Sequence, residues 1–207
     1  MDKSPEDIEN AKMRELVTKD LEESSAIKRK IARHLSNEIA QAARLILEAY
    51  KAGGKVLLIG NGGSAADAQH IAAELIGRFK LERIGLPAIA LTTNTSTLTA
   101  LANDYGYETV FSRQLEALVT KKDILIAITT SGTSPNIIKG VEMARSNGAT
   151  VIGLTGAQGG RMKELADITI QVPSVNTPRI QEAHITIGHI ICHLVEKWLF
   201  HEQSGIH

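Results

Sequence analysis

The chain has 207 residues, and its 23 basic side chains balance its 23 acidic ones at a formal net charge of zero. This balance excludes a general electrostatic attraction to nucleic acid or anionic membranes. Three Phe, three Tyr and one Trp are also too few to stack single-stranded bases. A hydrophobic content of 43% is ordinary for one globular domain of this length.

Residues 1–6 lack an apolar signal region, and no apolar run approaches the length of a membrane span. The single cysteine, Cys192, has no partner for an internal disulfide and lies in an apolar helical pattern. We interpret it as a core residue rather than a catalytic thiol. These features predict a cytoplasmic enzyme or binding protein without a membrane partner.

Residues 1–50 are predicted to be helical, because apolar residues recur along them at helical spacing. One stripe runs from Met13 to Leu21 and another from Ile27 to Ile39. The helices either pack on the chain's own sheet or are shared with other subunits, since such stripes need a partner surface. We take residues 1–50 as an N-terminal helical part of the same domain that residues 51–207 complete.

The wholly apolar run Val56–Ile59 predicts a strand buried on both faces of a parallel sheet. A glycine loop follows and leaves its N–H groups free for an anion or a polyol, but its spacing fits neither the dinucleotide fingerprint nor the P-loop. Ser64 and Asp67 have the spacing of a capping box, which predicts a helix beginning at Ser64. On that helix, His70 and Glu74 lie one turn apart on one face.

Four more apolar runs predict strands at 88–91, 124–128, 151–154 and 168–172, and helical segments alternate with them. This order predicts a three-layer αβα fold with a five-stranded, mostly parallel sheet. Ligands of such sheets bind beyond the carboxyl ends of the strands.

The segment Thr129–Asn136 follows the third strand and carries five hydroxyl side chains and a glycine. Ser134 as N-cap and Pro135 at the first helical position predict a helix start. An ordinary capped loop would explain Ser134 but not five hydroxyls together, so we predict a neutral phosphate-binding loop.

A final helix is predicted from about Arg179 to Phe200, and its apolar face explains most of it as structure. Gln181 and His189 lie eight residues apart and share a broad face. Taken alone, a histidine in a core helix is more often a hydrogen-bonded interior group than a ligand.

Three features together resemble the SIS (sugar isomerase) fold and, within it, the bacterial phosphoheptose isomerases. They are Gly-Asn-Gly-Gly-Ser at 60–64, the His70/Glu74 pair, and Arg-Ile-Gln-Glu at 179–182 with a histidine eight residues after the Gln. The likeness extends from the helix before Lys55 to Trp198. It implies a homotetramer and conversion of D-sedoheptulose 7-phosphate to D-glycero-D-manno-heptose 7-phosphate through an enediol, the first step of ADP- or GDP-heptose biosynthesis.

The resemblance also assigns roles to residues. It implies that Glu74 and His189 are catalytic. It implies one zinc ion per subunit, with the ligands His70, Glu74, Gln181 and His189. It implies substrate binding by Asn61, Gly62, Gly63, Ser64, Glu74, Asn103, Asp104, Thr129, Thr130, Ser131, Ser134 and Gln181. Asp104 is also explained as a turn residue near Gly106. The histidines that match no ligand are His184, His193, His201 and His207.

The division of roles at this site stays open. A carboxylate that is bound to zinc is a weaker base, so Glu74 does not readily serve as ligand and base at once, and glutamine is an uncommon zinc ligand. Pro178 stands where some relatives carry an acidic residue, so the role of that carboxylate is not transferred to this chain.

Two alternative functions belong to other classes. A non-catalytic SIS protein that binds the bacterial replication initiator resembles this family, but it lacks the glutamate that corresponds to Glu74 and has an altered glycine loop. Another sugar-phosphate isomerase, or a transcription factor that senses sugar phosphates, is the second alternative. The chain has no room for a DNA-binding module beyond its first fifty residues, and it has both Glu74 and His189. We therefore favour the isomerase.

Overall fold

A computed structural model describes residues 4–200 of the chain. Two helices open it, α1 (Pro5–His34) and α2 (Ser36–Lys51). At the start of α1, the backbone N–H of Asp7 donates to Ser4 Oγ and the Asp7 carboxylate accepts from the N–H of Ser4, which is a capping box. Helix α2 ends at Ala52, and Gly53 then adopts the left-handed conformation, with φ of 77°.

The remaining elements alternate between strands and helices, with a single 3₁₀ turn at Tyr107–Thr109. The strands are β1 (Val56–Gly60), β2 (Ala88–Ala90), β3 (Ile124–Ile128), β4 (Thr150–Thr155) and β5 (Ile168–Gln171). The helices are α3 (Gly63–Ile76), α4 (Thr95–Tyr105), α5 (Ser112–Leu118), α6 (Pro135–Ser146), α7 (Met162–Leu165) and α8 (Thr177–Phe200). Every predicted strand is confirmed to within one residue at each end.

The five strands form one sheet in the order β2-β1-β3-β4-β5, and every neighbouring pair is parallel. The chain leaves β1 towards β2 and later returns to place β3 on the other side of β1. This reversal makes the gap between the ends of β1 and β3 a topological switch point, where ligands of such sheets bind. Gly60 and Ile128 are paired at that edge, so the two loops predicted to bind substrate begin side by side.

Two hydrophobic clusters lie on opposite faces of the sheet and confirm the three-layer αβα fold. Helices α1, α2, α3 and α8 pack on the face formed by Val56 and Leu58. Helices α5, α6 and α7 pack on the face formed by Leu57 and Ile59. Side chains of successive strand residues point to opposite faces, and both faces are covered, so the central strands β1 and β3 carry no polar side chain and are buried throughout.

The two apolar stripes of the N-terminal segment differ in solvent exposure. Ile27 and Ile31 are buried in the core, so this part of α1 packs on its own subunit. The first stripe is exposed, with 55% of Met13 and 67% of Leu21 accessible. The chain's own sheet therefore explains the burial of the second stripe, whereas residues 4–200 leave the first stripe exposed. Across residues 4–200, every helix falls short of the combined length and apolar character of a membrane span.

Candidate active site

The first loop, residues 60–64 at the end of β1, positions helix α3 through its glycines. Gly62 is the N-cap, with φ of 54°, and no side chain caps the helix, so the predicted capping box of Ser64 and Asp67 is wrong. The left-handed turn at Gly62 starts the helix at Gly63, before Ser64 is reached, and Ser64 N–H donates to the carbonyl oxygen of Asn61. A Cβ on Gly63 would lie 2.5 Å from Gln181 Nε2, so this glycine lets α8 approach the start of α3.

His70, Glu74 and His189 come together where α3 crosses α8. His70 Nε2 lies 3.1 Å from Glu74 Oε1 and 3.1 Å from His189 Nε2. One ligand atom from each of the three residues lies within 4.8 Å of the others. Two imidazoles and a carboxylate are a common donor set for zinc, so this group can hold a metal ion. Gln181 of α8, the fourth residue of the predicted set, lies against Gly63 at the amino end of α3.

The surroundings of this cluster are partly apolar and partly buried. The ring of Phe79 lies 5.7 Å from that of His189, between centroids. Asp67 lies one turn before His70, and none of the residues that the structure describes donates to its buried Oδ2 atom. Burial raises the pKa of the Asp67 carboxyl to about 6, against the opposing effect of His70. Phe79 was not predicted as a neighbour of the site, because a single aromatic residue in a loop forms no local motif.

The second loop, residues 129–134 after β3, brings several of its hydroxyl groups close together, as the sequence predicts. Thr129 Oγ1 lies 3.2 Å from Ser134 Oγ and 3.4 Å from Ser131 Oγ, and the N–H of Thr133 donates to Ser131 Oγ. Ser134 is the N-cap of α6, as predicted, but its hydroxyl faces Thr129 rather than the helix N–H groups. Gly132 has φ of 72°, which closes the loop over the segment after β4.

A cavity of about 190 Å³ opens beside this loop. Thr130 and Ser131 line one side of it, and Gln158, Ser174 and Thr177 line the other. The last three follow β4 and β5 and were missed by the sequence analysis, because single polar residues in separate loops form no local motif. The cavity makes the hydroxyl loop accessible to a small anionic group.

A reciprocal pair of amides joins the two loops. Asn61 Nδ2 donates to Asn136 Oδ1 at 2.9 Å, and Asn136 Nδ2 donates to Asn61 Oδ1 at 2.8 Å. The hydroxyl of Tyr107 also donates to Asn61 Oδ1. Asn136 is buried at the start of α6, and its role was not predicted. The amide of Asn61 is therefore engaged with the protein itself.

The comparisons with known proteins agree with this geometry. The SIS domain family matches residues 21–156. The phosphoheptose isomerase of Aneurinibacillus thermoaerophilus is 58% identical over 165 residues, which are 80% of this chain and 83% of the relative. That of Aquifex aeolicus is 56% identical over 185 residues, which are 89% of this chain and 97% of the relative. The structure of a phosphoheptose isomerase from Neisseria gonorrhoeae superposes with a TM-score of 0.85 at 42% identity, and covers 89% of this chain and 99% of that one.

The chain belongs to the phosphoheptose isomerases of the SIS family. It is therefore a sugar-phosphate isomerase, and the resemblance inferred from the sequence is confirmed. Family membership gives a chemical context to the His70, Glu74 and His189 cluster, which α3 and α8 form on the face of the sheet that both helices cover.

Asn103 and Asp104 lie at the end of α4, where the Asn103 amide donates to Asp104 Oδ1 at 2.9 Å. Both are exposed, and Asp104 is helical rather than part of a turn. Gly106, with φ of 87°, ends the helix. Their assignment to substrate binding stays a prediction.

The remaining histidines and the cysteine have different surroundings. His184 is fully buried, and its Nε2–H donates to the carbonyl oxygen of Thr155. Burial lowers the pKa of His184 to about 4, so the ring is neutral at pH 7. Cys192 is buried as predicted, and burial together with the Glu74 carboxylate raises the pKa of its thiol to about 12. His201 and His207 lie outside the described residues.

Proposed function

We propose that this chain converts D-sedoheptulose 7-phosphate to D-glycero-D-manno-heptose 7-phosphate through an enediol. The observation that carries the proposal is the cluster of His70, Glu74 and His189 between α3 and α8, in a chain that belongs to the phosphoheptose isomerases. An aldose–ketose isomerase needs a base beside the C1–C2 pair, an acid near the two oxygens, and a binding site for the distant phosphate.

Glu74 and His189 serve as the proton-transfer pair. The reaction removes a proton from C1 and returns one to C2, while a proton passes from O1 to O2. The Glu74 carboxylate and the His189 imidazole both lie 3.1 Å from His70 Nε2, and in this proposal they exchange protons with the carbons and the oxygens, respectively. Such general acid–base catalysis contributes about 10²- to 10⁴-fold to the rate.

One zinc ion per subunit would be held by His70, Glu74 and His189, with Gln181 as the fourth ligand. Support comes from the donor set, two imidazole nitrogens and a carboxylate oxygen within 4.8 Å of one another. When bound, the ion would polarise the substrate's carbonyl oxygen as a Lewis acid. Because coordination weakens a carboxylate as a base, Glu74 cannot hold zinc and accept the C1 proton with the same lone pair.

The second loop binds the phosphate in this proposal. Its hydroxyls lie beside a cavity of about 190 Å³, and the positive end of the α6 dipole favours an anion there. The hydroxyl donors are Thr129, Thr130, Ser131 and Ser134, with Ser64 from the first loop. The residues that bind the sugar hydroxyls in this proposal are Asn61, Gly62, Gly63, Asn103, Asp104 and Gln181. Asn61 acts partly through Asn136, because its amide is already bonded there.

We further propose a homotetramer that is built around residues 1–50, with residues 51–207 as the isomerase part of the same domain. The exposed apolar stripe from Met13 to Leu21 supports it, because an isolated subunit leaves this stripe in water. The reaction would take place in the cytoplasm, at the start of ADP- or GDP-heptose biosynthesis. Deletion of the gene should then deplete heptose nucleotides from the soluble cell fraction, and unchanged levels would contradict this placement.

The test of the function is Glu74→Gln, which keeps the shape of the side chain and removes its basicity. With sedoheptulose 7-phosphate as substrate and aldose formation followed by NMR, turnover should fall at least about 10²-fold. Zinc content should fall in Glu74→Gln and in His189→Gln. Glu164→Gln, at an exposed position of α7, is the matched control and should leave turnover and zinc unchanged.

Parent and variants should all sediment as tetramers at micromolar concentration. A parent that is monomeric would refute the assembly. Near-normal turnover in a folded Glu74→Gln variant would refute the mechanism. A parent that binds sugar phosphate without turning it over would favour the non-catalytic SIS protein.

A further inference from the structure

A carboxylate is buried behind the site, on the helix that carries His189. Glu196 is 1% exposed and accepts hydrogen bonds from the backbone N–H groups of Phe79, Lys80 and Leu81, at 2.8–3.0 Å, and from Arg83 Nε at 3.2 Å. Burying a charge is costly unless it is paired and hydrogen-bonded, and here four donors surround it.

Arg83 completes the arrangement at the end of α3. Its guanidinium donates to the carbonyl oxygens of Glu74, Leu75 and Gly77, at 2.7–2.9 Å, and its side chain is 2% exposed. The last carbonyls of a helix have no partner within the helix. The N–H groups of Gly77 and Leu86 donate to the carbonyl oxygens of Ala73 and Leu75, and Arg83 adds donors to those of Glu74 and Leu75.

The Arg83–Glu196 pair therefore contacts both helices of the site. One of the capped carbonyls belongs to Glu74 itself. Glu196 lies seven residues, or two turns, after His189 on α8 and so shares its face of the helix. The segment bound by Glu196 begins with Phe79, whose ring lies against the imidazole of His189.

We propose that Arg83 and Glu196 are positioning residues of the isomerase. By fixing the end of α3 and the ring of Phe79, the pair holds the Glu74 carboxylate and the His189 imidazole at the separation that proton transfer requires. This inference rests on the proposed catalytic roles of those two residues. A misplacement of about 1 Å at a reacting group is enough to slow a reaction 10²-fold, so loss of the pair acts on kcat.

The chain contains a matched control for this proposal between the starts of β1 and β3. Asp123 is also 2% exposed, and it accepts from the N–H groups of Lys55 and Thr120 and from the ammonium of Lys55. It joins the segments that precede β1 and β3, and its donors, Lys55 and Thr120, belong to neither α3 nor α8. Asp123→Asn and Glu196→Gln make the same chemical change to a buried, ion-paired carboxylate, but only the second change lies behind Glu74 and His189.

The experiment measures kcat, KM and thermal unfolding of Glu196→Gln, Phe79→Leu and Asp123→Asn, with kcat taken well below each unfolding transition. We expect Glu196→Gln to lower kcat roughly 10- to 100-fold with KM changed less than about threefold. Phe79→Leu should lower kcat less and leave the melting temperature near that of the parent. Asp123→Asn should lower the melting temperature and leave kcat unchanged.

A purely structural role would give a different result. If Glu196→Gln retains the parent's kcat, or if Asp123→Asn lowers kcat as much as Glu196→Gln does, the positioning role is refuted. If Glu196→Gln does not fold, Phe79→Leu decides, and a parental kcat in that variant refutes the proposal. Glu74→Gln is measured in the same series to test the catalytic assignment separately from the positioning role. An active Glu74→Gln would refute the catalytic assignment. An inactive Glu74→Gln together with a normal Glu196→Gln would refute only the positioning role.

Discussion

The β1–α3 and β3–α6 units share a backbone plan but differ in what their helices carry. In each unit, a wholly buried strand ends at the switch point, a glycine with positive φ turns the chain, and a helix begins. Helix α3 carries His70 and Glu74, four residues apart. Helix α6 turns apolar residues to the sheet, and the hydroxyls that its unit offers to the candidate site lie in the loop before the helix.

The difference follows from the neighbour that each helix meets. Helix α3 packs on the face covered by α8, and Gly188 permits close approach, since a Cβ there would lie 2.6 Å from Ile71 Cδ1. Helix α6 packs on the opposite face against α5, with Gly140 close to Leu115 and Ile59. The first of these contacts, and not the second, brings together the two helices that carry His70, Glu74 and His189. The same fold therefore provides chemistry on one side and binding on the other.

The two loop glycines offer the sharpest test of this comparison. Gly62→Ala and Gly132→Ala both place a side chain at positive φ, which costs about 1–2 kcal/mol. A Cβ on Gly62 meets nothing within 4 Å, whereas one on Gly132 overlaps the carbonyl oxygen of Gly159. We expect Gly132→Ala to lower the free energy of unfolding by more than about 3 kcal/mol in urea, and Gly62→Ala by about 1–2 kcal/mol.

Equal losses at the two glycines would contradict the geometry of the second loop. It would mean that the segment after β4 gives way to an added methyl group, so that this loop is as open as the first. The cavity beside Ser131 would then not be a rigid site, and the KM of Gly132→Ala for the sugar phosphate would stay near that of the parent.

The Asn61–Asn136 pair tests whether the two units act independently. A double-mutant cycle of Asn61→Ala and Asn136→Ala, measured by urea unfolding, should give a coupling energy of about 1–2 kcal/mol, because each amide loses both of its bonds to the other. The exposed pair Gln69 and Thr92, at 3.2 Å, is the control and should couple by less than about 0.5 kcal/mol. Additive losses at the asparagines would make the two loops separate sites.

The sequence predicted the sheet well, because an apolar run bounded by glycines or polar residues is a local signal and parallel strands need little else. It also placed His70 and Glu74 on one face. That His189 joins them depends on how α8 crosses α3, which no periodicity encodes, so that part came from the family resemblance. The Arg83–Glu196 pair joins positions 113 residues apart and was missed for the same reason. The capping box at Ser64 failed because the backbone freedom of Gly62 outweighed a side-chain pattern.

The smallest expected effect concerns the hydroxyl of Ser131, and it separates binding from chemistry. Ser131 lines the cavity, and its Oγ accepts from the N–H of Thr133 at 3.2 Å. Loss of one hydrogen bond to the phosphate costs about 0.5–1.5 kcal/mol, so Ser131→Ala should raise KM for sedoheptulose 7-phosphate roughly 2- to 10-fold with kcat unchanged. Ser146→Ala, at the exposed end of α6, the helix that follows this loop, should change neither KM nor kcat. Glu74→Gln, in the β1–α3 unit, is expected to lower kcat, whereas Ser131→Ala, in the β3–α6 unit, should change only KM. A fall in kcat for Ser131→Ala at constant KM would place this hydroxyl in the chemical step, and an unchanged KM and kcat would move the phosphate site away from the second loop.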